Sequence, residues 1–166
     1  YSRDCEPELT CTVDGAAPSR KDEYLPVDDR SHVVGEVNYP VYPPTGGAHF
    51  GCWWEWGVAT EEVPDERWVH NMEHGGVIFL YNCPEGCDED VARLVAAFAN
   101  KERVIISPYS PMESRFAAVA WEYRTLMDCL DIDHMESFYE ARFARGPENV
   151  ASMPPAGCME EDTSSP

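Results

Sequence analysis

The chain has 166 residues, of which 43% are hydrophobic, so it is long enough for one hydrophobic core and too short for two ordinary domains. Its 31 Asp and Glu residues outnumber its 12 Lys and Arg residues, and the formal net charge of -19 excludes nucleic acid and anionic membrane surfaces as partners while it attracts cations. The chain contains no apolar run of about 18 residues, so no membrane span is predicted.

The first third of the chain is predicted to lack regular structure. Residues 1–38 are polar and acidic without a sustained period, which predicts an irregular N-terminal arm. Residues 39–64 combine proline, glycine and three tryptophans, and neither a helix nor a central strand tolerates that punctuation. Because solvent-exposed tryptophans are costly, we expect this ordered loop, the tryptophan loop, to fold back onto the rest of the domain and cover a site.

The remainder of the chain alternates between helical and strand patterns. Its predicted elements are a helix over residues 65–74, a strand over 77–82, a helix over 88–101, a strand over 103–109, a third strand over 116–129 and a closing helix over 133–146. This order predicts a single α/β or α+β domain over residues 39–146, with a small mixed sheet, flanking helices and a C-terminal tail over 147–166.

The predicted helix over residues 65–74 carries the spelling H-x-x-E-H at His70, Glu73 and His74. Its histidines are one turn apart and project from the same side, as in the inverted zincins, where the glutamate is a general base. The alternative is that one imidazole satisfies a backbone carbonyl and the other faces water. His49, in the glycine-bracketed loop, supplies a third imidazole and completes a set suited to zinc or copper.

The other histidines and two methionines are the remaining candidate ligands. His32 and His134 have no visible partner, which favours surface or capping roles. Met112 follows a predicted strand in a proline-bound loop, where side chains commonly point into a site. A thioether is a soft ligand that favours copper over zinc. Core filling is the alternative for Met112, and it is slightly favoured for Met72.

Several segments together resemble a bacterial family of exported or membrane-anchored proteins, described only as a domain of unknown function. They are "YPPTGGAHFG", "GVATEEVPDERWVHNMEHGGVIFLYN", "VIISPY" and "FAAVAWEY". The hallmark is a Pro-Pro-Thr-x-Gly-x-His loop followed by Val-His-x-x-Glu-His-Gly, and the similarity spans about residues 39–146. The resemblance implies His49, His70, Glu73 and His74 as the functional group, with Met112 a looser match. The extra cysteines and "GCWWEWG" depart from the pattern.

The cysteine content predicts an oxidising compartment. The chain has seven cysteines and opens on Tyr1 without an initiator methionine, so we expect a periplasmic or extracellular protein whose signal peptide has been removed. Cys83 and Cys87 are close enough to bridge across a Pro-Gly turn. Cys5 could pair with Cys11 or Cys158 and tie the polar ends to the core.

Three functions are consistent with these features. The first is an exported metal-binding protein that holds copper through His49, His70, His74 and Met112 for storage, delivery or electron transfer. The second is a zinc-dependent hydrolase with Glu73 as general base. The third is a structural subunit of an extracellular assembly, with a protein partner on the tryptophan loop. An aromatic-lined sugar site is less favoured because no carboxylate pair is set up for glycosidic chemistry.

Overall fold

The computed structural model describes residues 19–148. The predictions made for residues 1–18 and 149–166, including those for Cys5, Cys11 and Cys158, lie outside this range. Within it, the strands are β1 (Arg20–Tyr24), β2 (Gly57–Val58), β3 (Val77–Tyr81), β4 (Val104–Pro108), β5 (Phe116–Ala120) and β6 (Tyr123–Met127), and the helices are α1 (Asp65–Glu73), α2 (Asp88–Phe98) and α3 (Ile132–Arg142).

The strands form one mixed six-stranded sheet in the order β1-β6-β5-β3-β4-β2. The pairs β2–β4 and β4–β3 are parallel. The pairs β3–β5, β5–β6 and β6–β1 are antiparallel. The described part of the chain is therefore a small α+β domain with a mixed sheet, which confirms the predicted fold class. No helix among residues 19–148 combines the length and the apolarity that a membrane crossing requires.

Each face of the sheet is covered by its own hydrophobic core. Ile78 and Leu80 of β3 point to the core that α1 and the tryptophan loop cover, whereas Val77 and Phe79 point to the core that contains residues of α2 and α3. Successive side chains of a strand alternate between faces, so a strand covered on both sides must be apolar throughout. This explains the continuous apolar run at the start of β3.

Three parts of the sheet differ from the prediction, and one of them is the two-residue edge strand β2, which lies in the loop predicted over residues 39–64. Residues 116–129 form a hairpin, β5 and β6, instead of one long strand, and Glu122 in its tight turn has a φ of 68°. The predicted irregular arm contributes the edge strand β1. Arg124 of β6 is only 8% exposed; its Nε lies 2.5 Å from Glu23 Oε2 and its Nη1 donates to the Pro43 carbonyl at 2.9 Å. Such long-range pairing has no local sequence signal.

The predicted bridge between Cys83 and Cys87 is confirmed, with a Cα–Cα distance of 5.8 Å. Cys52 and Cys129 each take part in a disulfide bond as well. The Cys83–Cys87 bridge closes the turn that leads from β3 into α2, so it fixes the start of that helix.

Candidate metal centre

Helix α1 carries His70 and Glu73 on its last turn and His74 as its C-cap residue. The helix stops there because Gly75 adopts a φ of 85° and its N–H donates to the Met72 carbonyl at 3.0 Å. Glu73 and His74 are both buried, so the helix ends inside the protein.

The opposite end of α1 contains a separate polar contact. The Tyr109 hydroxyl donates to Asp65 Oδ2 at 3.1 Å, and burial raises the pKa of Asp65 to about 7. This contact belongs to the start of the helix and is five residues from the nearest histidine.

Hydrogen bonds hold the tryptophan loop against α1. The Phe50 N–H donates to the Glu66 carbonyl at 3.0 Å, and Asn71 and the Trp54 backbone exchange two hydrogen bonds of 2.8 and 2.9 Å. Trp53 stands edge-on to His70, with 5.2 Å between ring centroids. The loop thus folds back onto the body, as expected, and covers the histidines of the helix.

A short backbone pairing brings His32 beside His49. The Val33 N–H donates to the His49 carbonyl at 2.8 Å, and the His49 N–H donates to the Ser31 carbonyl at 3.0 Å. The two rings are 5.0 Å apart between centroids. His32, expected at the surface without a partner, is therefore a member of the cluster.

The ligand atoms of His32, His49, His70 and Glu73 all lie within 4.8 Å of one another. The closest contact joins His49 Nε2 and Glu73 Oε2 at 2.9 Å, and His32 Nε2 lies 3.9 Å from the same oxygen. Donors bound to one ion at the usual 2.0 to 2.2 Å are at most about 4.4 Å apart. Small rotations of these side chains are therefore enough to bring all four donors onto one ion.

The proton positions on two of these rings are fixed by backbone carbonyls. His49 Nδ1 lies 2.8 Å from the Gly47 carbonyl, and His70 Nδ1 lies 2.8 Å from the Phe50 carbonyl. A carbonyl only accepts, so each Nδ1 carries a hydrogen, and Nε2 is the atom left to bind a metal ion once the hydrogen that His49 Nε2 donates to Glu73 has been released. Metal-binding histidines commonly donate their second ring N–H in this way.

A second group of donors adjoins the first and shares Glu73. The ligand atoms of Glu73, His74 and Glu148 also lie within 4.8 Å of one another, and His70 Nε2 and His74 Nε2 are 2.9 Å apart. Glu148 is held there by its own backbone, since its N–H donates to the Glu73 carbonyl at 3.0 Å and its carbonyl accepts from His74 Nδ1 at 3.2 Å.

The cluster is closed on the core side and open on the other. His49 is 0%, Glu73 2% and His70 3% exposed, whereas the side chains of His32 and Glu148 are 56% and 54% exposed. An ion can therefore reach the buried donors from the solvent side, where His32 and Glu148 are exposed.

The electrostatics favour the ligand forms of the buried groups. Burial lowers the pKa of His70 to about 4. Burial alone would raise the pKa of Glu73, but the hydrogen bond with His49 and the charges of the neighbouring histidines hold it below its usual range. At neutral pH the helix thus presents a neutral imidazole beside a carboxylate, the protonation states that metal binding needs.

A family model described as "Protein of unknown function (DUF3105)" matches residues 32–154. The chain belongs to the DUF3105 family. This agrees with the resemblance found in the sequence, and the matched range contains all six donor residues described above. No curated protein and no solved structure shows significant similarity to this DUF3105 chain.

The structure does not bring Met112 to the donors of the DUF3105 chain. The Met112 carbonyl accepts from Asn82 Nδ2 at 2.6 Å, and its side chain packs in the core with Trp68 and Tyr109. Asn82 directly follows β3, whereas His74 precedes it, and five strand residues span about 16 Å. Met112 therefore lies near the opposite end of β3 from His74, and the prediction of its thioether as a ligand is corrected.

The remaining predicted residues are near one another but divide differently from expectation. His49 and His70 are in one group with Glu73, while His74 belongs to the adjoining group. Sequence reasoning missed His32 and Glu148. The signal for His32 was its rarity, since the chain has only five histidines; Glu148 had no comparable signal among 31 acidic residues.

Proposed function

We propose that this protein binds a divalent first-row transition-metal ion, with copper(II) as the preferred ion and zinc as the alternative. The observation that carries this proposal is the convergence of three imidazoles and one carboxylate, His32, His49, His70 and Glu73, within 4.8 Å of one another. Imidazole nitrogen suits copper, zinc, nickel and iron, whereas magnesium and calcium prefer sites made of oxygen alone.

The preference for copper now has a different basis. Without Met112 the site has no soft thioether ligand. For a site made of nitrogen and oxygen donors, affinity among these divalent ions is greatest for copper. An exported protein that meets free copper at low concentration would therefore acquire it first.

Storage or delivery accords best with how the donors are distributed. Three ligands of the set, His49, His70 and Glu73, are almost fully buried, while His32 has a 56% exposed side chain. A buried set retains the ion and excludes water, and an exposed imidazole can leave first when another protein takes the ion. Electron transfer remains compatible with the same donors.

A zinc hydrolase is the second candidate, and the position of Glu73 counts against it. In the H-x-x-E-H enzymes the glutamate activates water and does not bind the metal. Here Glu73 belongs to the same group of donor atoms as the histidines, and its Oε2 lies 2.9 Å from His49 Nε2. The assembly role is also less favoured, because the tryptophans of the loop are no more than partly exposed: Trp54 and Trp56 pack on the core, and Trp53 contacts His70 and His74.

The test is elemental analysis of protein purified without chelators and without a histidine tag. We expect about one equivalent of copper or more, lost in His49→Ala and His70→Ala. His134→Ala is the matched control, since His134 bonds Thr125 and Asp22 away from the cluster. Wild-type protein that holds no copper or zinc, even after incubation with either ion, would refute the proposal.

A Glu73→Gln variant separates the metal-binding function from the hydrolase. Loss of a ligand should weaken metal binding by about 100-fold or more, because even groups that only orient ligands contribute 10- to 100-fold. A general base predicts the reverse pattern, in which zinc stays bound and hydrolysis of a test ester or peptide is lost.

A further inference from the structure

The donor atoms around Glu73 exceed what a single ion can use. His32, His49, His70 and Glu73 already supply four donors, the usual number for zinc and a common one for copper. His74 and Glu148 lie outside that set, yet their ligand atoms lie within 4.8 Å of one another and of Glu73. The two groups share only this carboxylate, which has two oxygens.

The contact between His70 and His74 places the two groups of donors side by side. Their Nε2 atoms are 2.9 Å apart. His70 donates its Nδ1 hydrogen to the Phe50 carbonyl and His74 donates its own to the Glu148 carbonyl. With Nδ1 of each ring at a backbone carbonyl, Nε2 is the atom that each ring can offer to an ion.

We propose that the site holds two metal ions bridged by the Glu73 carboxylate. The first ion binds His32, His49, His70 and one Glu73 oxygen, and the second binds the other Glu73 oxygen, His74 and Glu148. Carboxylate-bridged pairs of this kind are about 3.5 to 4 Å apart. This inference rests on the proposed metal-binding function and extends it to a second ion.

The two positions differ in donor number and access. The first has four donors, of which His49, His70 and Glu73 are almost fully buried, so it is closed and retains its ion. The second has three donors and leaves a coordination position open beside Glu148, whose side chain is 54% exposed. The second ion is therefore the exchangeable one, and its open position can take water or a donor from another protein.

The experiment is equilibrium dialysis of the metal-free protein against copper(II) buffered with excess glycine, which suppresses weak binding to the acidic surface. We expect two bound equivalents in the wild type, the second at least tenfold weaker. Glu148→Gln should bind one. Glu140→Gln, the same charge change at an exposed position on α3, should bind two.

Electron paramagnetic resonance of the same samples tests the bridge. Two copper(II) ions joined by Glu73 couple magnetically, so the wild type should show far less spin than bound copper, and Glu148→Gln should recover one spin per bound ion. One equivalent in both proteins would overturn the second site and leave the proposed function intact. Two equivalents with full spin intensity would overturn the bridge, and absence of any binding would refute the proposed function itself.

Discussion

Replacement of Gly146 by alanine should disrupt the segment that brings Glu148 to the cluster. Gly146 follows α3 and packs against the end of α1, where an added Cβ would lie 2.5 Å from the Met72 carbonyl oxygen and 2.5 Å from the Gly75 nitrogen, and closer still to the Glu73 carbonyl oxygen. All three neighbours are backbone atoms of the helix terminus. None can move aside by a change of rotamer.

The expected cost follows from these contacts. An overpacked site of this kind typically loses about 1–3 kcal/mol. If the segment instead moves away, it gives up the hydrogen bonds from Ala144 N–H to the Gly75 carbonyl and from Glu148 N–H to the Glu73 carbonyl, both 3.0 Å long. Each is worth about 1 kcal/mol. By either route we therefore expect Gly146→Ala to lower the free energy of unfolding by about 1–3 kcal/mol.

Urea denaturation followed by circular dichroism measures this loss. Gly51→Ala is the matched control, because its Cβ would meet nothing closer than His32 Nδ1 at 3.9 Å, and it should stay within about 0.5 kcal/mol of the wild type. Gly146→Ala should also lose the weaker copper equivalent. A free energy of unfolding within about 1 kcal/mol of the wild type would show that the packing of this segment is not as described.

Three other variants test contacts outside the donor cluster. Burial raises the pKa of Asp65 from 3.8 to about 7, so the folded state holds a proton that the unfolded state releases, and stability should fall as the pH rises across this interval. In urea titrations, the free energy of unfolding of Asp65→Asn relative to that of the wild type should rise by roughly 1–2 kcal/mol between about pH 4.5 and about pH 7.5. A rise no larger than that of Glu61→Gln, at an exposed position, would contradict this expectation. Asn71→Ala removes both hydrogen bonds to the Trp54 backbone and should cost about 2–4 kcal/mol with a red-shifted tryptophan emission, whereas an unchanged spectrum would mean that ring packing alone holds the loop. Arg124→Met leaves the mostly buried carboxylate of Glu23 with the exposed Lys21 as its one remaining ion-pair partner among the described residues, and it should speed hydrogen exchange of the β1 amides. Unchanged exchange would show that β1 pairs without Arg124.

Sequence reasoning found the parts of the site that local geometry determines. His70 and His74 are one helical turn apart, and helical spacing alone brings them to the same side. The loop with His49 was expected to come down on the helix because its tryptophans need cover, and Trp53 does pack against His70. The family resemblance pointed to the same residues.

The parts that sequence reasoning missed depend on contacts distant along the chain. His32 reaches the cluster through a backbone bridge to His49, and Glu148 through hydrogen bonds to the end of α1. Neither pairing has a periodic or compositional signal. The Met112 prediction failed for a related reason, because it assumed a site at the carboxyl ends of the parallel strands, whereas these histidines lie before the start of β3.

A metal ion bound at this cluster would stabilise the fold as well as fill the site. Its donors come from four separate segments: the arm at His32, the loop at His49, the end of α1 and the stretch at Glu148. Any ligand that binds only the folded state stabilises it in proportion to the logarithm of its concentration over its dissociation constant. An ion held here joins the two outermost described segments to the core, so metal loading should protect them most from proteolysis. Buried polar groups stabilise a fold less than apolar packing of the same volume. A cluster of this composition is therefore better explained by the ion it can bind than by the needs of the fold.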